Sequence, residues 1–241
     1  MKKSQIAVLA ALGLIVVIMI VVMGLGRLAV GSATRWDSDS AGWDEVGSGT
    51  NESMRMDFRD FDAVVVEGAW DVQISQSESF TVDIDYPSIL EDSIKVRVQG
   101  NRLVLGRSDS GNWHGEDLMA RIHMPSLSEI RIEGAAHVEF RGFDETRLDV
   151  VIEGAGQVEG FDSVVEELNA ELQGLGQIDL GGVSAENANV ALDGAGEIVV
   201  RMAGGVLDGR LQGLGSIVYT GEAADERIKV DGLGDVSYER R

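Results

Sequence analysis

The chain has no cysteine among its 241 residues. That excludes disulfide staples and a lipid-modified N-terminal cysteine, and it removes thiolate from any metal site. Histidines number three: His114, His123 and His137. No H-x-x-x-H or H-E-x-x-H spacing joins them, so a zinc site would need His and carboxylates gathered from distant segments. No serine stands in a G-x-S-x-G elbow. Beyond residue 35 no stretch carries a helical period for more than a turn or two. Positive charge is also scarce, with 20 Lys and Arg against 41 Asp and Glu. Lys95 and Lys229 are the only lysines after the N-terminus, and all the acidic residues lie beyond residue 35. Such a field disfavours nucleic acid and anionic lipid headgroups and favours a solubilised exterior surface.

One long apolar run is present. Lys2 and Lys3 precede Ile6 to Gly26, an uncharged stretch long enough to span roughly 30 Å as a helix, the thickness of a bilayer core. Signal-peptide cores are shorter, about 7–15 residues, so residues 1–30 are expected to be an uncleaved membrane anchor. The basic N-terminus places it on the cytoplasmic side. The expected location is thus the cytoplasmic membrane, single-pass, with the C-terminal domain on the periplasmic or extracellular face. Residues 31–57, rich in Ser, Gly and Asp without an apolar period, read as an acidic flexible linker. Trp36 within it is expected at the membrane interface.

From residue 58 the pattern is β throughout. Val64, Val66, Val72 and Ile74 alternate with polar residues, as do Phe80, Val82 and Ile84. Ile94, Val96 and Val98 lead through Gly100-Asn101 to Leu103 and Leu105, which predicts a hairpin. Residues 106–117, with Trp113 and His114, read as a loop.

The dominant signal is a repeat. EGAAHV (133–138), EGAGQV (153–158), QGLGQI (173–178), DGAGEI (193–198), QGLGSI (212–217) and DGLGDV (231–236) recur about every twenty residues, and EGAWDV (67–72) is a divergent seventh copy. Alternating strands precede each copy, such as Leu148, Val150 and Ile152, then Leu168, Ala170 and Leu172. Stacked coils of fixed length set like residues above like, and no coil buries its apolar face alone. The predicted fold is all-β: a single-stranded parallel β-helix of ~20-residue coils, right-handed by the crossover preference, preceded by the N-terminal transmembrane helix. The glycine pair is expected at a sharp corner, where a Cβ clashes or φ is positive. The residue between the glycines alternates in size (Ala155, Leu175, Ala195, Leu214, Leu233) and is expected to fill the interior. Residues 60–124 are expected to supply the cap and first coils.

Before each glycine pair stand Glu67, Glu133, Glu153, Gln173, Asp193, Gln212 and Asp231, predicted to form an outward polar rib. A rib of ligands for cations or carbohydrate is one reading; a solvated surface is the other. The period of twenty and the lack of a recurrent Asp separate it from calcium-binding nonapeptide rolls. The recurring GxG opens no helix, so nucleotide readings fail. Arg141, Arg147, Arg201 and Arg210 are scattered, unlike the grouped Asp, Lys and Arg of β-helical polysaccharide lyases and hydrolases. No catalytic, cofactor-binding or metal-binding residue is predicted, and no cofactor.

The G-[AL]-G-x-[IV] units, the opening FDAVVVEGAWDVQISQSESFTVDIDY, the hairpin DSIKVRVQGNRLVLG and the join MPSLSEIRIEGAAHVEF together resemble the bacterial auto-transporter adhesin head GIN domain over residues 58–241. The resemblance implies a β-helical, exported or membrane-attached protein and carries no catalytic or binding residues. Trp70 and Ala136 replace the second glycine, so those corners must be built differently. The expected function is that of a non-enzymatic, membrane-anchored envelope protein whose β-helix presents an adhesin-like binding surface. Its expected partners are an envelope glycan or a surface protein, with Trp70 or Trp113 available to stack on sugars. The alternative is a structural scaffold forming homo-oligomers through coil ends, and the third reading is a polysaccharide lyase or hydrolase.

Overall fold

A computed structural model describes residues 51–108 and 118–240. The apolar run 6–26, Trp36, Trp113 and His114 lie outside the described residues. Among the described residues, no helix is long and apolar enough to cross a membrane, and helix is confined to one 3₁₀ turn, Ser88–Ser93.

The first strands in chain order are β1 (Asn51–Met56), β2 (Ala63–Val66), β3 (Ala69–Gln76), β4 (Thr81–Pro87), β5 (Ile94–Gln99), β6 (Arg102–Arg107) and β7 (Leu118–Met124). The repeat region follows with β8 (Glu129–Ile132), β9 (Ala135–Arg141), β10 (Asp144–Ile152), β11 (Ala155–Phe161), β12 (Ser163–Leu172) and β13 (Leu175–Leu192). It ends with β14 (Ala195–Ala203), β15 (Val206–Leu211), β16 (Leu214–Glu222), β17 (Asp225–Val230) and β18 (Leu233–Tyr238). Each coil contributes a segment to each of two main parallel ladders, the long β13 serving both, and the glycine motif is the corner between them.

Registers follow the sequence period. Leu148 pairs with Leu168, Leu168 with Ala188, and Ala188 with Leu207 in the first ladder. Val138, Val158, Ile178, Ile198 and Ile217 form an unbroken column in the second. All five are fully buried. Removing a Val or Ile side chain from water contributes about 1.5–3 kcal/mol, and a column gains it only when the coils above and below are in place. A one-residue slip would turn the whole apolar set outward, so alternation fixes the register. The result is a β-solenoid of about six consecutive coils from β8 to β18.

The N-terminal region stacks out of sequence order. The β2–β3 coil lies between the β8–β9 coil and a coil made by β6 and β7: Val64 pairs with both Leu103 and Ile130, and Val72 with both Ala120 and Val138. The divergent copy EGAWDV therefore sits directly against EGAAHV, despite the intervening chain. Antiparallel strands finish this end, with β5 on β6, β4 on β7 and β1 on β4. Reversed direction and the β5–β6 hairpin, turning at Gly100 with φ 63, break the parallel template that an open coil would offer another chain. This bears out the expected cap and hairpin.

Two readings are corrected. Residues 51–56, assigned to the flexible linker by composition, form β1: Met54 and Met56 pack against the core, Ser53 Oγ donates to Asp85 at 2.6 Å, and Arg55 bonds Asp83 at 2.7 Å. The residue between the glycines does not fill the interior. Leu175, Leu214 and Leu233 are 49%, 43% and 60% exposed. The physical cause is at the corner, where the glycines turn their Cβ-less side toward the neighbouring coil. A Cβ on Gly154 would collide with the Gly134 carbonyl, and one on Gly176, where φ is 150, with the Gly156 carbonyl. Counted by twos from the buried Leu172 and Ile178, the residue between the glycines falls on the outer face. Large-against-small packing occurs instead at the far end of the strand, where the Phe140 ring occupies the space a side chain on Gly160 would need.

Candidate functional site: the corner ridge and its flanking ribs

The corner stacks in register, so the outward residues Ala135, Ala155, Leu175, Ala195, Leu214 and Leu233 form one continuous apolar ridge. Ribs flank it on both sides. The predicted polar rib is in place, exposed at Glu67, Glu133, Glu153, Gln173, Gln212 and Asp231 and half-buried at Asp193. Much of it is held by the protein's own cations. Arg97 pairs with Glu67 at 2.9 Å, Arg131 with Glu153, Arg210 with Asp193 at 2.7 Å and Lys229 with Asp231 at 2.6 Å. The Asp193 hydrogen bond, and then its charge, hold the Arg210 guanidinium above its ordinary pKa. Occupied carboxylates favour the solvated-surface reading of this rib over a row of cation ligands; exposed pairs of this kind contribute about 0–1 kcal/mol each.

On the other flank run Asp71, His137, Gln157, Gln177, Glu197, Ser216 and Asp235, again in register. Gln177 Nε2 donates to Glu197 Oε1 at 3.2 Å and Ser216 Oγ to Glu197 Oε2 at 2.8 Å. His137 differs: its Nε2 lies 3.7 Å from Glu139 Oε1 and 3.6 Å from Glu159 Oε1. The sequence singled out His137 but not its neighbours. Glu139 is two residues along the same face, and Glu159 is the equivalent residue one coil later, so the twenty-residue period itself was the signal that pairs them. His123 is exposed on β7, away from this cluster in the ladder column.

Recesses interrupt the surface of the described residues, two of them beside these columns and the last coils. One of about 310 Å³ is lined by Gln73, Ile74, Ser75, Glu139 and Arg141. The other, of about 620 Å³, lies by β16–β18 among Tyr219, Tyr238, Glu222, Asp225 and Glu226. There the Tyr219 hydroxyl donates to Glu226 at 2.6 Å, and that bond to a carboxylate pushes the phenol pKa up to about 12. The Tyr219 and Tyr238 rings are 5.3 Å apart.

The other sequence candidates do not converge. Arg141 lies 4.0 Å from Glu139, whereas Arg147 bonds Asp149 at 3.0 Å on the other ladder. Trp70 is only 4% exposed, which removes it as a sugar-stacking platform. It packs in the hydrophobic core, in one column with Ala136 and Gly156. Its Nε1 has no hydrogen-bond partner among the described residues.

The chain has no match among curated proteins. A crystal structure of a "putative adhesin" from Bacteroides fragilis superposes with a TM-score of 0.65 at 19% identity, covering 79% of this chain and 97% of that one. A "putative lipid binding protein" from Parabacteroides distasonis gives a TM-score of 0.50 at 18% identity, covering 79% and 98%. At these identities the likeness is one of fold. The family described as "Putative auto-transporter adhesin, head GIN domain" matches residues 60–198 and 143–223, spanning the cap coils and most of the glycine corners. The chain belongs to that head GIN domain family.

Proposed function

We propose that this protein is a non-enzymatic, adhesin-like envelope protein that uses its solenoid as an extended binding surface. The observation that carries the reading is the corner ridge: exposed leucines in register on a rigid stack, rimmed on both sides by acidic and amide ribs. Apolar residues aligned at strand spacing suit an extended polypeptide with apolar side chains and flanking basic groups. A surface protein therefore fits the ridge better than a glycan, because Trp70 is buried and the Tyr219–Tyr238 pair stands apart at one end. Residues 6–26 serve in this reading as the membrane anchor, with the coils, right-handed by the crossover preference, displayed on the outer face.

The scaffold alternative draws on a different observation. Among the described residues β17 pairs only with β15 and β18 only with β16, and Leu233 and Tyr238 are exposed there. The acidic field and Arg227 and Lys229 on β17 oppose stacking of like coils, which ranks this reading second.

The test is to present the full chain, in detergent, to envelope polysaccharides, peptidoglycan and envelope proteins, and to assay both retention and polymer length. Retention on protein with polymer intact is expected. Shortened polymer would overturn the non-enzymatic reading, and particle size rising with concentration without retention would favour the scaffold.

A further inference from the structure

The geometry points to a divalent transition-metal site of the zinc class at His137, Glu139 and Glu159. The three donor atoms all lie within 4.8 Å of one another. The imidazole nitrogen stands 3.6–3.7 Å from two carboxylate oxygens, too far for a hydrogen bond. Four donors around a tetrahedral zinc, each about 2.0–2.2 Å from the metal, are separated by roughly 3.3–3.5 Å. Small side-chain rotations close that gap. No spacing in the sequence marks these three residues as ligands; the fold brings them together from two adjacent coils.

The surroundings fit the assignment. His137 and Glu139 share one face of β9, and Glu159 is the register partner of Glu139 on β11, so the stack fixes the donor spacing without loops. The side chains of His137, Glu139 and Glu159 are 17%, 31% and 26% exposed, which limits competition from water. Gln157 Nε2 donates to Glu159 Oε1 at 2.6 Å, and Arg141 approaches Glu139 through its other oxygen, Oε2. Both contacts orient the carboxylates and leave lone pairs for a metal. Asp71 stands opposite His137 on β3, adding a carboxylate to the row. Further along the column of His137, Gln177 and Ser216 both donate to Glu197, whereas at His137 an imidazole stands between two carboxylates.

The donor set selects the metal. An imidazole nitrogen with two carboxylates suits zinc, cobalt or nickel, whereas calcium takes six to eight oxygens. Three protein ligands leave a fourth position for water or for a donor on a bound partner, reached from the recess that Glu139 borders.

The test titrates the full chain in detergent with Co²⁺, following visible d–d absorption, and then with Zn²⁺ by calorimetry. His137→Gln is the informative variant, because glutamine already occupies this position in the next two coils and the fold accepts it. His123→Gln is the control. One equivalent of Co²⁺ with tetrahedral bands, displaced by Zn²⁺ and not by Ca²⁺, is expected, with affinity reduced about tenfold or more in His137→Gln and unchanged in His123→Gln. Zinc should also raise Tm in the wild type and not in His137→Gln. Absent bands, or binding that survives His137→Gln undiminished as diffuse attraction to an acidic surface, would overturn the assignment.

Discussion

At the residue scale, each side chain's role follows from which way its Cα–Cβ bond points at a corner or along a strand. The corner glycines were legible in the sequence because a Cβ at Gly154, Gly174 or Gly176 would meet the carbonyl of the preceding coil. The residue between them was not, since its size alternation suits either a core or a ridge until the direction of the bend is known. The same holds for Glu145, whose carboxyl at the start of β10 accepts the Leu127 N–H at 2.6 Å. Burial there pushes its pKa above the ordinary carboxylate value against the N–H bond, which pulls it down, and Asp62 and Asp144 add to the rise. A raised folded-state pKa favours the protonated form, so the stabilisation is present below the unfolded pKa and is lost as pH rises through the folded one. Glu145→Gln keeps an acceptor for Leu127 and removes the charge. Its Tm should exceed that of the wild type at pH 7 and converge with it below pH 4, as read by thermal melts across that range.

At the element scale, the alternating strands were readable from period two alone, and the hairpin at Gly100-Asn101 followed from turn chemistry. β1 was not, because NESMRM has polar composition and gains its partners only once β4 is folded beside it. Corners differ in what enforces them. Gly176→Ala places a Cβ against the Gly156 backbone at a φ that L-residues avoid, so clash and strain add, costing about 3–5 kcal/mol. Gly204 also has positive φ, 124, but nothing lies within 4 Å of an added Cβ. Gly204→Ala should therefore cost only the strain, about 1–2 kcal/mol. Denaturant melts of the two variants separate the contributions: similar losses would mean that backbone conformation, and not coil-to-coil contact, sets the corner.

At the scale of the whole molecule, the repeat announced the solenoid but not the order of its coils. Nothing in EGAWDV says that it packs against a copy sixty-six residues later with another coil on its far side. That order follows from closing a parallel stack with an antiparallel cap, a constraint that acts only in three dimensions. The absence of cysteine makes it directly testable. Ser75 and Arg141 are ladder partners, and neighbouring strands about 4.8 Å apart fall within the Cα separation that a disulfide spans. Ser75→Cys with Arg141→Cys should cross-link on oxidation, while Ser75→Cys paired with Phe161→Cys, one coil further, should not; the reverse would refute the stacking order.

The claim that the ridge is the binding surface is tested most directly by one comparison. Leu175→Ser, Leu214→Ser and Leu233→Ser are combined in the full chain, and retention on envelope protein is measured beside the wild type. These side chains are exposed, so the fold should persist with unchanged far-ultraviolet circular dichroism, and retention should fall at least about tenfold if an apolar segment lies along them. Wild-type retention in the folded triple variant would contradict the account and move the binding surface off the ridge.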